Sequence, residues 1–254
     1  MKTHSLYARD FNLLKLENTS SNKFAAVDAA RGWAIFLVML VHSISIVPEL
    51  PYPVRKIAVF GWYGVQLFFI TSAFTLLNSW YKDARPFKDK ISHFFLRRFF
   101  RIVPMYYTGV VIYYLVRPPQ NGFNFEQLII SLAFINAWSP MWMPTIEDGW
   151  SVVPGGWSIS VEFCFYFCFP FLAVFAISIK RSLILFIASL LLMIISYNLG
   201  SVFYSPIYGI QATELFLFFW LPNQLCIFAI GFIAFSTFNS VDHFSIVVLD
   251  FFKK

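Results

Sequence analysis

Six ionisable residues lie inside or at the edges of long apolar stretches of this chain. They are Arg31, His42, Glu162, Arg97, Arg98 and Arg101. Charged side chains are costly in apolar surroundings and are usually retained there for binding or catalysis. Arg31 and His42 are eleven residues apart, which on a helix is three turns plus about 20°, so they face the same way about 16 Å apart along the axis. The first apolar stretch therefore predicts one helix face with a cation near one end and a titratable imidazole near the other.

His42 and Glu162 are the pair best suited to acid–base chemistry. His42 lies close to the end of its apolar stretch and Glu162 close to the start of its own, and the charge pattern predicts that these two ends share one side of a membrane. A carboxylate beside an imidazole fixes its tautomer and raises its basicity, as in general bases. The alternatives are a hydrogen-bonded packing histidine and a structural carboxylate that caps a helix or pairs with an arginine.

The three arginines open the third apolar stretch. Arg98 and Arg101 are one helical turn apart, a spacing suited to gripping a phosphate between two forked donors. The alternative is an anchor, because basic clusters commonly mark the cytoplasmic ends of membrane spans.

Other chemistries find little support in the sequence. It has no cluster of His, Asp, Glu and Cys at metal-ligand spacing, so we expect no metal site. It also has no glycine-rich phosphate loop and no serine in a strand–turn–helix elbow. Any catalysis would therefore depend on the base within the apolar region.

The elements that position these residues are membrane helices. The chain has 254 residues, of which 59% are apolar and only 13% charged. Uncharged stretches at 57–81, 182–213 and 215–241 exceed the roughly 18 to 20 residues that cross a bilayer. This composition excludes a disordered tail, a disulfide scaffold and an ordinary cytosolic enzyme, and it predicts an all-α integral membrane protein.

We predict six transmembrane helices in a multi-span bundle. They lie at about 29–47, 57–80, 95–116, 157–179, 183–199 and 214–236. The segment 126–138 contains an apolar part of only about a dozen residues, which favours a short re-entrant or interfacial helix.

Charge placement supports this topology. If 126–138 does not cross, only Arg55, Lys56 and Arg117 lie outside, and the other sixteen of the nineteen basic residues lie inside. This is a strong positive-inside pattern, which predicts that both termini are cytoplasmic. We therefore interpret the net charge of +6 as an orientation signal, and we expect a lipid bilayer and no nucleic acid as partner.

Three segments together resemble the membrane acyltransferase-3 family, bacterial O-acyltransferases that modify cell-surface polysaccharides and lipopolysaccharide. Residues 27–34 (VDAARGWA) with His42 resemble the family's Arg-x10-His signature, and 97–107 (RRFFRIVPMYY) resembles its Arg-x-x-Arg-Ile-x-Pro segment. Residues 157–166 (WSISVEFCFY) are similar to its Trp-Ser-x-Ser-x-Glu-x-x-Phe-Tyr segment. Residues 71–74 read TSAF where the family usually has Ser-Gly-Phe.

The resemblance implies roles for single residues. Arg31 and His42 would be essential for transfer, and Glu162 would support the site. Arg98 and Arg101 would help to hold acyl-coenzyme A, and we place Arg97 beside them in the donor-binding set. The family domain normally continues for several further spans, so we expect this chain to be C-terminally short.

These observations predict an O-acyltransferase, in the first instance an O-acetyltransferase, of the bacterial inner membrane. Acetyl-coenzyme A would be the donor, a surface glycan or lipid-linked saccharide the acceptor, and His42 the general base. We expect a cytoplasmic segment at 1–23, the acyltransferase-like domain at 24–240 and a cytoplasmic tail at 241–254. The alternatives are an inactive remnant or accessory subunit and a proton-coupled transporter or flippase of glycan precursors.

Overall fold

The computed structural model describes residues 25–44, 51–119, 122–143 and 151–251, with side chains up to residue 239. All regular structure in these ranges is helical, which confirms the predicted all-α class. The α-helices are α1 (Ala25–Ile44), α2 (Tyr52–Val59), α3 (Gly64–Lys82), α4 (Phe87–Val116), α5 (Phe125–Leu132), α6 (Gly156–Phe175), α7 (Ile179–Tyr208), α8 (Ile210–Phe219) and α9 (Leu221–Phe251).

Six helical segments of the described chain are long and apolar enough to cross a membrane, as predicted. They are Ala25–Ile44, Tyr52–Lys82, Phe87–Val116, Gly156–Phe175, Ile179–Tyr208 and Ile210–Asn239. The predicted N-terminal segment 1–23 lies outside the described residues. At the other end, α9 continues past the predicted domain boundary at 240 to Phe251.

The chain divides into two compact units, one ending at Thr71 and one beginning at Ser72. In the first unit, α1 packs closely on the 3₁₀ turn before α3 and on the start of α3. A Cβ atom at Gly64 would lie 2.6 Å from the carbonyl oxygen of Ala34, and Gly61 meets the main chain of α1 in the same way. Glycine permits this approach because it has no side chain, as at other close helix crossings in membranes.

In the second unit, α4 begins at Phe87, eight residues before the predicted start of its span. Its first turns pack on Trp80 near the end of α3, with the Phe87 and Phe94 rings 6.1 and 6.0 Å from the Trp80 ring. The Lys90 ammonium lies 4.7 Å from the centre of the same ring. The arginine motif is therefore about three turns inside the helix, and the helix begins eight residues before the predicted start of the span.

Helices α3 and α6 run in the same direction. Ser72 contacts Glu162 near the start of α6, and Tyr81 donates a hydrogen bond to the carbonyl of Ala173 near its end. Helix α4 runs the opposite way along α6, since Phe94 stacks on Phe169 while Tyr106 lies beside Gly156.

The segment between α4 and α6 therefore returns to the side that it left. Helix α5 has eight residues, about 12 Å of helix, which is too short to cross a bilayer. The prediction of a short helix that does not span is thereby confirmed.

The chain after α5 is held against α6 by Phe134 and Ser160. Phe134 stacks on Phe163 with ring centroids 4.1 Å apart and has a φ of 58°, a conformation uncommon for a bulky residue. The Ser160 hydroxyl donates to the Phe134 carbonyl at 2.6 Å and accepts from the Ala137 N–H at 3.2 Å. One serine of the third motif thus fixes the strained turn next to the helix that carries Glu162.

The last predicted span is a broken helix. Helix α8 ends at Phe219, and α9 begins at Leu221, just before Pro222, which cannot donate a main-chain hydrogen bond. The side-chain amides of Asn223 and Gln224 donate instead to carbonyls at the end of α8. Two carbonyl groups at the break are therefore satisfied by side chains of the protein, as the membrane interior requires.

Candidate functional site

The predicted site residues Arg31 and His42 lie on α1, in the first unit. The helix is continuous between them, so they are separated by about 16 Å along its axis, as the spacing predicted. Arg31 pairs with Asp28, one turn away, at 3.8 Å and is 21% exposed, whereas the His42 side chain is exposed. The predicted approach of His42 to Glu162 and the role of His42 as a base stay predictions.

Glu162 lies on α6, in the second unit, and is only 5% exposed. The hydroxyl of Ser72 on α3 donates to its Oε1 atom at 2.6 Å. Hydrogen bonds to an ionised acceptor are short and strong, and a buried carboxylate requires such partners. Ser72 therefore compensates part of the loss of water around this acid.

Tyr166, one turn after Glu162, joins the carboxylate to α4. Its side chain is 2% exposed, and its hydroxyl interacts electrostatically with both Glu162 and Arg98. A phenol can donate its proton to the carboxylate while its oxygen accepts from the guanidinium. The result is a buried chain of Ser72, Glu162, Tyr166 and Arg98 across three helices, which we call the Glu162 cluster.

The Nε–H group of Arg98 is an unused hydrogen-bond donor. Its Nε atom is buried and has no hydrogen-bond partner within the described part of the chain. The guanidinium carbon lies 6.0 Å from the centre of the Phe94 ring, and the more exposed Arg101 acts electrostatically on Arg98. A buried N–H directed at no protein acceptor can bind a phosphate or carbonyl oxygen of a ligand.

The structure separates the three arginines of the second motif. Arg97 points away from the Glu162 cluster, with its terminal nitrogen 3.2 Å from Oδ2 of Asp83. Consecutive residues on a helix are about 100° apart around the axis, so Arg97 and Arg98 face different neighbours. Arg97 is thus not part of the cluster that contains Arg98.

Sequence reasoning missed Ser72 and Tyr166. Tyr166 is four residues after Glu162, so helical spacing alone placed the two on one face. Ser72 lies in the TSAF segment that matches the family's Ser-Gly-Phe position. The alternative for Glu162, pairing with an arginine, stays a prediction.

The composition of the cluster limits what it can do. It contains one acid, one guanidinium and two hydroxyls, and the groups of three or more His, Cys, Asp and Glu that a metal site requires are absent among the described residues. Such a cluster can fix the position of a cation, relay a proton between hydroxyl and carboxylate, and bind an electron-rich oxygen.

Comparison with known proteins places the motifs in a family. Residues 24–247 match the acyltransferase-3 family model, described as an acyltransferase domain. The acyltransferase MdmB of Streptomyces mycarofaciens is 35% identical over 120 residues, a match that covers 45% of this chain and 29% of that protein. No solved structure matches the chain. Because the family model covers most of the sequence and all three motifs, the chain belongs to the acyltransferase-3 family.

Proposed function

We propose that this protein is an integral-membrane O-acyltransferase, in the first instance an O-acetyltransferase, of the bacterial inner membrane. It moves the acyl group of cytoplasmic acyl-coenzyme A to a hydroxyl of a cell-surface glycan, lipopolysaccharide or lipid-linked saccharide. The observation that carries the proposal is the Glu162 cluster, because it links two family motifs in one buried network and leaves an Arg98 donor unused. The similarity to a relative named as an acyltransferase supports it.

In the proposed reaction, His42 removes the proton from the acceptor hydroxyl. The hydroxyl oxygen attacks the thioester carbonyl carbon, a C–O bond forms, and the C–S bond breaks. Coenzyme A leaves as a thiolate and takes the proton back from the imidazolium. A second route has the same balance but passes the acyl group through a covalent acyl-His42 intermediate.

The other site residues have supporting roles in this scheme. Arg98 and Arg101 hold an anionic or carbonyl oxygen of the donor, and the Tyr166 hydroxyl fixes the direction of the Arg98 guanidinium. Glu162 carries the negative charge that balances Arg98. Arg31 neutralises charge that develops on the donor within the bundle.

The test is acyl transfer by His42→Ala in cells that carry a surface glycan acceptor. Loss of a general base lowers transfer by about 10² to 10⁴-fold, so we expect glycan acetyl esters to fall to background while the protein still enters the membrane fraction. His4→Ala is the control, because it removes a histidine outside every motif. Full activity in His42→Ala would disprove the proposed mechanism.

A second measurement separates the enzyme from its rivals. Purified protein in detergent, without a transmembrane gradient, should release free coenzyme A from acetyl-coenzyme A only when acceptor glycan is present. A transporter would move glycan across a vesicle membrane without acyl transfer, and an inactive remnant would not bind coenzyme A. Either result would contradict the proposal.

A further inference from the structure

A basic cavity lies at the end of α3 and on the adjoining face of α4. It has a volume of about 700 Å³ and is open to the surface. The polar side chains that line it are those of Asn78, Ser79, Lys82, Asp83, Arg85 and Arg97. We call it the Asp83 pocket, and with the exception of Arg97 no motif points to its residues.

Asp83 holds the two arginines of this pocket in place. Its Oδ2 atom lies 3.2 Å from a terminal nitrogen of Arg97, and its Oδ1 atom accepts the main-chain N–H of Arg85 at 3.1 Å and lies 3.5 Å from the Arg85 Nε. The Asp83 carboxylate is 7% exposed, whereas the two arginine side chains are 43% and 44% exposed. The acid is therefore covered and the guanidinium groups face the solvent.

The electrostatics leave the pocket positive. The main-chain N–H of Arg85 and the nearby Arg85, Arg97 and Lys90 charges lower the pKa of Asp83, so its carboxylate is ionised at neutral pH. Arg85 and Arg97 carry two positive charges against this single negative one, which leaves an excess of one within the Asp83 contacts. A phosphomonoester has close to two negative charges and three acceptor oxygens, and a forked guanidinium fits these oxygens better than a single ammonium does.

We propose that the Asp83 pocket binds a phosphomonoester. Each guanidinium has five N–H donors and uses only part of its fork on Asp83, so donors remain on both arginines. The Ser79 hydroxyl and the Asn78 amide add neutral hydrogen-bonding groups at the wall. Asp83 acts here as the residue that fixes the geometry of two cations, and the ligand supplies the missing negative charge.

Two sources of a phosphomonoester are available to this protein. One is the 3′-phosphate of the acyl-coenzyme A donor, which rests on the proposed function. The other is the headgroup of phosphatidic acid. We favour the first source. Arg97 of the pocket and Arg98 of the Glu162 cluster are consecutive residues of α4, so a single coenzyme A molecule bound along this helix would contact both arginines.

The experiment measures binding to the full chain in nanodiscs of neutral lipid. Coenzyme A and dephospho-coenzyme A, which lacks the 3′-phosphate, are titrated against the wild type, Arg85→Gln and Arg97→Gln. Loss of a charge-assisted contact is worth about 1.5 kcal/mol or more, so each variant should weaken coenzyme A binding by about tenfold or more. Binding of dephospho-coenzyme A, already weak, should not change further.

Three controls keep this test decisive. Arg117→Gln removes an exposed arginine at the far end of α4 and should leave binding unchanged. Arg97→Lys retains the charge without the fork and should give an intermediate loss, which a folding defect would not. A phosphatidic acid arm compares nanodiscs with and without this lipid, and variant-sensitive binding of it would support the site with the lipid as its source.

The phosphomonoester site and the acyltransferase activity can be disproved independently of each other. If neither ligand distinguishes the variants from the wild type, the phosphomonoester site is disproved, whether or not acyl transfer occurs. If binding depends on Arg85, Arg97 and the 3′-phosphate but no acyl group is transferred, the site stands and the acyltransferase activity is disproved.

Discussion

Two acids of the second unit bind neighbouring arginines in opposite ways. Glu162 is buried and interacts with Arg98 and Tyr166 without an ion pair, whereas Asp83 contacts Arg97 directly beside an open cavity. Both acids are covered, but the guanidinium groups that pair with Asp83 are 43% and 44% exposed to water, whereas the Ser72 and Tyr166 side chains beside Glu162 are buried. Two consecutive arginines of one motif therefore have different surroundings. Arg98 takes part in the buried Glu162 cluster, and Arg97 takes part in the solvated Asp83 pocket.

This difference follows from helix geometry and dielectric. Exposed ion pairs contribute little to stability because water screens them, while a buried charge deprived of its partner is strongly destabilising. We therefore expect substitutions in the Glu162 cluster to affect folding and those in the Asp83 pocket to affect ligand binding.

The largest effect is expected for Glu162→Ala. It removes the negative charge that acts on the half-buried Arg98 and leaves the Ser72 hydroxyl without its acceptor. Leaving a buried polar group unsatisfied costs about 1–3 kcal/mol, and more where a charge is involved. Thermal unfolding in detergent should show a clear fall in midpoint and acyl transfer should be lost. The control is Glu126→Ala, which removes an exposed acid in the first turn of α5 and should change neither the unfolding midpoint nor acyl transfer. Equal unfolding midpoints for the two variants would contradict the expected difference between a buried and an exposed acid.

Tyr166→Phe should have the next largest effect. The ring and its packing on Phe94 are retained, but the hydroxyl between Glu162 and Arg98 is removed, which costs about 1–3 kcal/mol. We expect a lower unfolding midpoint and a higher KM for the acyl donor, because Arg98 loses its orientation. Tyr113→Phe removes an exposed hydroxyl on α4 and serves as control; a donor KM that matches the wild type would exclude the orienting role.

Ser72→Ala should be milder. The Glu162 carboxylate loses one short hydrogen bond but retains its interaction with Tyr166, so we expect a loss of about 1 kcal/mol. Unfolding midpoints would be compared with Ser92→Ala on the exposed face of α4. A loss as large as that of Glu162→Ala would show that Ser72, and not Tyr166, is the dominant partner.

Asp83→Asn should have the smallest effect on stability and a distinct pH dependence. The pKa of Asp83 is lowered in the folded protein, so its contribution is present above its unfolded pKa and is lost as the pH falls through the folded value. The unfolding midpoints of the wild type and Asp83→Asn should therefore differ slightly at pH 7 and converge in acid. If the difference in unfolding midpoint between the two proteins grows as the pH falls, the lowered pKa of Asp83 is contradicted.

The helices and their directions were largely predictable. Hydropathy identified six spans, and positive charges indicated that 126–138 does not cross, because both signals are properties of local sequence. The start of α4 was not predictable in this way. Residues 87–94 include three charged side chains and are helical because they pack on Trp80, a tertiary contact that hydropathy does not detect.

The site was predictable in its residue types and less so in its partners. Glu162 and Arg98 were identified because charge in an apolar stretch is rare. Ser72 and Tyr166 have neutral side chains that are common in membrane helices, so their importance depends on the packing of α3 and α4 around α6. The opposite directions of Arg97 and Arg98 follow from the helix period once the neighbours of α4 are known.

The glycines at the start of the second apolar stretch have a consequence for how the sequence can vary. Gly61 faces Leu37 and Val41 of α1. Leu37 is five residues before His42, and Val41 is the residue directly before it. Any Cβ at Gly61 would push α1 outward and carry the histidine with it. A saturation screen for function should therefore find Gly61 and Gly64 as intolerant of replacement as His42, although neither glycine has an atom capable of chemistry.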